Sequence, residues 1–318
     1  MLVARYILTL ALLFPATLAQ AAGFRFIEVP ADADGPALTG AMWYPCSEPP
    51  GEIRLGPITL SGAKDCPISG DRLPLVAVSH GNGCSIVCHR DMTETLADAG
   101  FVVAAINHPG DTYIDMSRVG DLSVMVERPT DIKRLIDFML GASPAASKID
   151  PGRIGVFGHS AGGYTGLVLI GANPDWGSAL CHRSSAAPVC EQLLRKQFRA
   201  EPLVHDPRVK AAVVTHPPGF YFSADSFATI TVPVQLWASE RGNEVVTSES
   251  VAAVDRNLPA KHDYHLVPNA WHADFEICPA FRKDDPLCKD APGFDRVAFH
   301  KEFNADVLAF FRANLGGT

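Results

Sequence analysis

The chain has no cluster of basic residues. Its 27 lysines and arginines are outnumbered by 35 aspartates and glutamates, for a formal charge of −8 and a pI near 5.7. That balance argues against nucleic acid and anionic lipid surfaces as partners. No segment repeats at a fixed period and none is of low complexity, which excludes solenoids and long disordered arms. No C-x-x-C pair or His-rich neighbour stands at zinc-like spacing, so no metal site is expected. The apolar run near the N-terminus is too short to cross a bilayer and is broken by Pro15.

What is present fits an exported α/β protein. The 318 residues are 47% hydrophobic and 19% charged, enough to bury a substantial core. Arg5, the apolar stretch Ile7 to Phe14 and the small-x-small triplet Ala19-Gln20-Ala21 read as a signal peptide over residues 1–21. The mature chain, 22–318, is then one domain, secreted or periplasmic and with no membrane span. Eight cysteines agree with an oxidising compartment. They fall as chain neighbours, and sequential pairing is the simplest of many possibilities: Cys46–Cys66, Cys84–Cys88, Cys181–Cys190 and Cys278–Cys288.

Apolar runs alternate with helical spacing along the chain. Phe24 to Tyr44 reads as edge strands, and Pro45 to Asp71 as a long connection. Apolar runs at Leu73 to Gly81 and Phe101 to Asn107 suit strands buried on both faces, and Arg153 to Gly158, Val209 to His216, Val232 to Ala238 and Tyr264 to Pro268 read as further strands. Helices are expected at Arg90 to Gly100, Pro129 to Leu140, Ala161 to Ile170, Ser248 to Asn257 and Val297 to Asn314. The pattern predicts a mostly parallel sheet covered on both faces. Residues 172–208 are too long for an ordinary αβ loop and read as a cap-like insertion clipped by Cys181 and Cys190.

The segment GHSAGG places Ser160 between a strand and a helix. At this composition a chance G-x-S-x-G is expected roughly 0.12 times, so the motif needs its context to carry weight. A strand-to-helix turn this tight strains the serine backbone and lifts its Oγ above the sheet edge. The following helix N-terminus favours developing negative charge. Ser160 is therefore the expected nucleophile. Its base is His272, which follows the last strand and precedes the final helix. His108 is the second choice, His216 is a pocket-lining residue, and His265 is structural because it lies within its strand. His159 adjoins the serine and is expected to point elsewhere.

The orienting acid should lie after the Val232 to Ala238 strand. That loop, SERGNEVV, has no aspartate, so Glu240 is preferred and Glu244 is the alternative. The oxyanion donors are the amides of Ala161 and, in the SHGNG loop, Asn82. Trp271, Phe220 and Tyr221, with Phe222 and Phe275, are apolar candidates for the substrate pocket, though aromatic residues there are equally at home in a core.

With these pieces in order, LPLVAVSHGNG, FVVAAINHPGDT, GHSAGG, PVQLWASE and YHLVPNAWH, the chain resembles the α/β-hydrolase superfamily. More narrowly it is similar to predicted dienelactone hydrolases related to platelet-activating-factor acetylhydrolases. The resemblance covers roughly Leu73 to His272. It implies ester or lactone hydrolysis through an acyl-enzyme on a small-molecule substrate, without a cofactor. It departs from true dienelactone hydrolases in having serine where they use cysteine, and its acid loop lacks the usual aspartate. A peptidase or amidase, an acyltransferase, or a non-catalytic binding protein on the same fold are the alternatives.

Overall fold

The computed structural model describes residues 21–177, 188–195, 203–259 and 262–316. The signal-peptide reading, apart from Ala21, lies outside them, as does Cys181. Ten strands form one sheet in the order β10-β9-β8-β7-β5-β6-β2-β1-β4-β3. The strands β5 (Leu73–Ser79), β6 (Val102–Ile106), β7 (Ile149–His159), β8 (Val209–Thr215), β9 (Val234–Ser239) and β10 (His262–Val267) run parallel. Every residue of β5, β6 and β9 is buried, as expected of strands covered on both faces.

Helices α1 (Arg90–Asp98), α2 (Leu122–Gly141), α3 (Ala161–Leu169), α4 (Pro188–Leu194), α5 (Ser248–Asn257) and α6 (Arg296–Leu315) accompany the sheet. Two apolar clusters result. One joins α2 and α3 to the sheet through Ile132, Leu135, Leu167 and Val214. The other joins α1 and α6 through Met92, Leu96, Phe303 and Phe311.

Three local expectations are corrected. The stretch Pro45 to Asp71 is not a plain connection. It contains β3 (Gly51–Leu55) and β4 (Ile58–Lys64), a hairpin turned at Gly56 with φ 59°. The alternation of buried Ile53, Ile58 and Leu60 carries this hairpin, but proline, glycine and serine around it mask the signal. Because β4 pairs with β1 (Ala21–Val29), β1 and its antiparallel partner β2 (Leu38–Cys46) are interior, not edge, strands. Helix α2 starts at Leu122 rather than Pro129: Asp121 caps it by accepting from the Ser123 amide at 2.8 Å, and Pro129 sits inside. An interior proline costs a backbone hydrogen bond. The helix tolerates it while burying Arg128, Ile132 and Leu135.

Disulfides join Cys46 to Cys66, Cys84 to Cys88 and Cys278 to Cys288. Cys190 is also disulfide-bonded. Within 172–208, α4 packs on the start of α2, where the Leu122 amide donates to Gln192 Oε1 at 3.0 Å. Among the described residues no helix is long and apolar enough to cross a membrane.

Candidate active site

All six parallel strands end on one edge, and the loops that leave them converge there. The loop after β7 is the sharpest. Ser160 has φ 54° and ψ −119°, a region costing about 1–3 kcal/mol for a residue with a side chain. Its amide donates to the Thr215 carbonyl at 2.9 Å, which ties the turn to β8. Two glycines make the turn possible. A Cβ on Gly158 would overlap the Gly162 carbonyl, and one on Gly162 would overlap the Ser79 carbonyl. The elbow therefore packs backbone against backbone, with Ser160 half-buried above it. Ala161 opens α3, so its amide has no intrahelical acceptor.

The loop after β5 faces the elbow. A Cβ on Gly81 would stand 3.5 Å from Ser160 Cβ. Asn82 is exposed at the mouth, and beneath it lies a fully buried polar strut. Arg128 pairs with Asp111 at 2.6 Å and donates to the His80 carbonyl at 2.7 Å. Asp111 in turn accepts from the Gly83 amide at 2.7 Å, and the Asn82 side-chain amide lies within 2.9 Å of it. The Cys84–Cys88 bridge closes the far end of the loop.

His108 belongs to this support. Its Nε2 meets Ser79 Oγ and its Nδ1 meets Asp131, each at 2.9 Å. This Ser–His–Asp chain has the connectivity of a catalytic relay, yet Ser79 and His108 are wholly buried and Asp131 nearly so. Burial holds the His108 imidazole well below its usual pKa and raises Asp131 to about 6.

The His272 ring is bracketed by those of His159 and His216, each centred 4.8 Å away. These two residues adjoin Ser160 and Thr215. Burial, reinforced by His216, depresses the His272 pKa well below the usual value, so its ring is neutral at physiological pH. His216 is pinned as the Nε2–H tautomer. Its Nδ1 accepts from the Ser239 amide at 2.8 Å, which leaves Nε2 to donate to the Val246 carbonyl at 3.0 Å. His265 stacks on Trp237, in keeping with a structural part.

Neither glutamate of the acid loop meets the His272 ring. Glu240 is exposed and accepts from the Asn269 amide at 2.6 Å, while Glu244 is exposed further along the loop. The His272 Nδ1 is buried without a partner. The physical reason is register. The loop runs beside the histidine loop through backbone bonds, with the His272 amide donating to the Gly242 carbonyl at 3.0 Å, and Gly242 has no side chain to offer. Glu240 thus holds the histidine loop rather than the imidazole.

Of the three aromatic candidates, only Trp271 is exposed. It lies under the Arg241 guanidinium and walls an open pocket of about 190 Å³ with Gly242, Asn243, His272, Pro286 and Leu287. Tyr221 and Phe220 are core residues, the former packed on Tyr164 and Trp176. Phe222 and Phe275 are buried as well. Exposed Tyr113, Ile114 and Met116 follow the loop after β6, with Met116 beside Gly83.

Two further residues belong to this region, one from the serine motif itself and one with no motif to announce it. His159 turns back toward His272 instead of away. Glu276, four residues after His272, comes within 3.6 Å of His159 Nε2. Only the short 3₁₀ turn His272–Phe275 folds it there.

Comparison with known proteins follows this geometry. Residues 89–192 match the model of the prolyl oligopeptidase family (peptidase S9). That third of the chain includes Ser160. No curated protein matches the sequence. Among solved structures, a ferulic acid esterase from Streptomyces cinnamoneus superposes with a TM-score of 0.66 over 96% of this chain and 93% of that one, at 20% identity. The architecture is the α/β-hydrolase fold, as the order of the sequence motifs predicts.

Proposed function

We propose that this protein is an exported serine hydrolase acting on carboxylic esters or lactones of small to medium size, partly apolar in character. The observation that carries the reading is Ser160: a strained, half-buried serine between β7 and α3, facing the Gly81–Asn82 loop, on the edge where the His272 ring packs against that of His159, the residue before the serine. Strain at such a position is retained when it serves presentation of the side chain. The esterase in the structural comparison and the resemblance to dienelactone and platelet-activating-factor acetylhydrolases support the ester class.

In the proposed cycle His272 takes the Ser160 proton as Oγ attacks the ester carbonyl. The Ala161 and Asn82 amides hold the oxyanion, worth about 3–4 kcal/mol per donor in such sites. His272 then protonates the departing alcohol. A water deprotonated by His272 opens the acyl-enzyme and frees the acid. Glu240, preferred over Glu244, completes the set by holding the histidine loop through its bond to the Asn269 amide. The exposed apolar rim of Trp271, Tyr113, Ile114 and Met116 favours substrates with apolar groups. The N-terminal leader and the disulfides support export of a single domain, 22–318.

A second reading, hydrolysis of amides or peptides, draws on the prolyl oligopeptidase match over 89–192. One experiment separates the classes. Purified protein is treated with a fluorophosphonate probe and assayed on p-nitrophenyl esters and peptide anilides. Labelling that vanishes in Ser160→Ala, with ester turnover far above anilide turnover, is the expected result. A folded wild-type protein that takes no label would sink the enzyme reading.

A further inference from the structure

Glu276 is an unspent carboxylate in the cleft. Its side chain is 29% exposed. The arginines around it are committed elsewhere, Arg296 to Asp274 and Asp290, and Arg282 to Asp285. Among the described residues its carboxylate accepts no hydrogen bond. It stands where the catalytic elements meet. Its Oε1 is 3.2 Å from where a Gly81 Cβ would be, and Ser160 Cβ is 3.5 Å from that same point. The Cys84 and Cys88 sulfurs and the Glu276 carboxylate lie within 4.8 Å of one another.

The second observation is His159. Its side chain is 1% exposed, and its Nδ1 is bonded to Thr215 Oγ1 at 2.8 Å. Its Nε2 is buried without a partner. The gap of 3.6 Å to Glu276 is too long for a direct hydrogen bond. It is short enough for one further oxygen to bond both groups. Such an oxygen must give a proton to the carboxylate and meet the imidazole nitrogen at the same time. A hydroxyl does both. An aliphatic group satisfies neither, and a substrate carboxylate is repelled.

We propose that Glu276 and His159 form a subsite for a hydroxyl group carried by the ester near its scissile carbonyl, so that the preferred substrates are hydroxy-acid esters or esters of polyols. The proposal rests on the esterase reading and adds the polar half of the substrate to it. Burial raises the Glu276 pKa to about 7, so the carboxylate becomes a stronger acceptor as pH rises through that value. The groups that act on it are His159 from the elbow, Arg282 from the loop beyond, and Arg296 and His300 from α6.

The test uses the full-length protein and three matched pairs: ethyl lactate with ethyl isobutyrate, ethyl 3-hydroxybutyrate with ethyl 3-methylbutyrate, and 2-hydroxyethyl butyrate with propyl butyrate. Each kcat/KM is normalised to the rate of alkaline hydrolysis. In at least one pair the hydroxyl ester should be favoured about tenfold or more, as expected of a hydrogen bond to a charged group. That ratio should fall toward one in Glu276→Leu and be weakened in Glu276→Gln. In the wild type it should rise with pH through about 7. No preference in any pair, or a preference that both folded variants retain, overturns the subsite. If neither variant folds, a wild-type ratio that is flat with pH overturns it. If none of the six esters is hydrolysed, the esterase reading falls and takes this one with it.

Discussion

Arg128 and Asp111 meet 2.6 Å apart with neither side chain exposed, and between them they hold both ends of the loop that faces Ser160. The guanidinium takes the His80 carbonyl and the carboxylate takes the Gly83 amide. The Asn82 side-chain amide, between them, lies within 2.9 Å of the same carboxylate.

Removing one partner leaves the other charged and buried. Arg128→Met or Asp111→Asn should therefore cost about 3–5 kcal/mol of stability. At a temperature where the variants remain folded, fluorophosphonate labelling of Ser160 should also slow by at least tenfold if the Asn82 amide is the oxyanion donor proposed above, because its loop is no longer fixed. Denaturant unfolding and labelling kinetics check the two effects separately. Labelling at the wild-type rate in a folded Asp111→Asn would show that the strut does not act on the loop.

Gly162→Ala is expected to be among the most disruptive single substitutions. The added methyl would overlap the Ser79 carbonyl, which belongs to the strand backbone and has no rotamer to yield. Either β5 and α3 move apart or the protein fails to fold, and in both cases Ser160 reactivity is lost. Gly141→Ala is the control, because open space surrounds that position at the end of α2 and its φ is not positive, so little or no loss is expected. Yield of soluble protein and thermal melting compare them.

Glu240→Gln and Glu244→Gln separate two meanings of an acid residue. A carboxylate bonded to the catalytic imidazole is worth about 10⁴ in kcat. Glu240 instead bonds the Asn269 amide, and a glutamine can still accept there. Its replacement should lower kcat less than tenfold, and that of Glu244 should have no measurable effect. A loss of a thousandfold or more in either variant, read from steady-state ester hydrolysis, would assign that glutamate to the imidazole.

Acid should destabilise this protein early. Burial lowers the pKa values of His80, His108, His159 and His272 well below the usual range, and those of His89 and His216 to about 4. Each of these imidazoles binds a proton more readily unfolded than folded. Their stabilising effect is therefore complete above the unfolded value of about 6.5 and declines as pH falls below it. Glu94, Asp131 and Glu276, raised to about 7, 6 and 7, act in the opposite sense and offset part of the loss. With six groups against three, Tm should fall between pH 7 and pH 5. An unchanged Tm across that interval would contradict the burial of the histidines.

Much of the sheet is legible because a parallel strand buried on both faces is nearly continuous in apolar residues, and the runs at β5, β6, β8 and β9 are, with Lys210 of β8 and Gln235 of β9 as interior exceptions. The hairpin β3–β4 is not, since this short two-stranded extension buries only four side chains, Ile53, Ile58, Leu60 and Ala63, and its turn residues dominate the composition. For the candidate site, the positions of Ser160 and His272 on edge loops are readable from their places after strands. Phe220 and Tyr221 were not separable from core aromatics, because hydrophobicity alone does not say which surface an aromatic ring covers.

The sequence by itself determined the order of elements, the serine on its strand-to-helix turn and the histidine after the last parallel strand. Those are local consequences of apolar runs, glycines and chain order. Only the tertiary structure decided which polar groups face one another. It sent Glu240 to a backbone amide and left the His272 Nδ1 without a carboxylate. It closed Ser79, His108 and Asp131 into a buried support, and it brought Glu276 beside His159, next to Ser160. Side-chain direction is set by loop register and by packing between strands far apart in the chain, and neither leaves a periodic mark in the residues themselves.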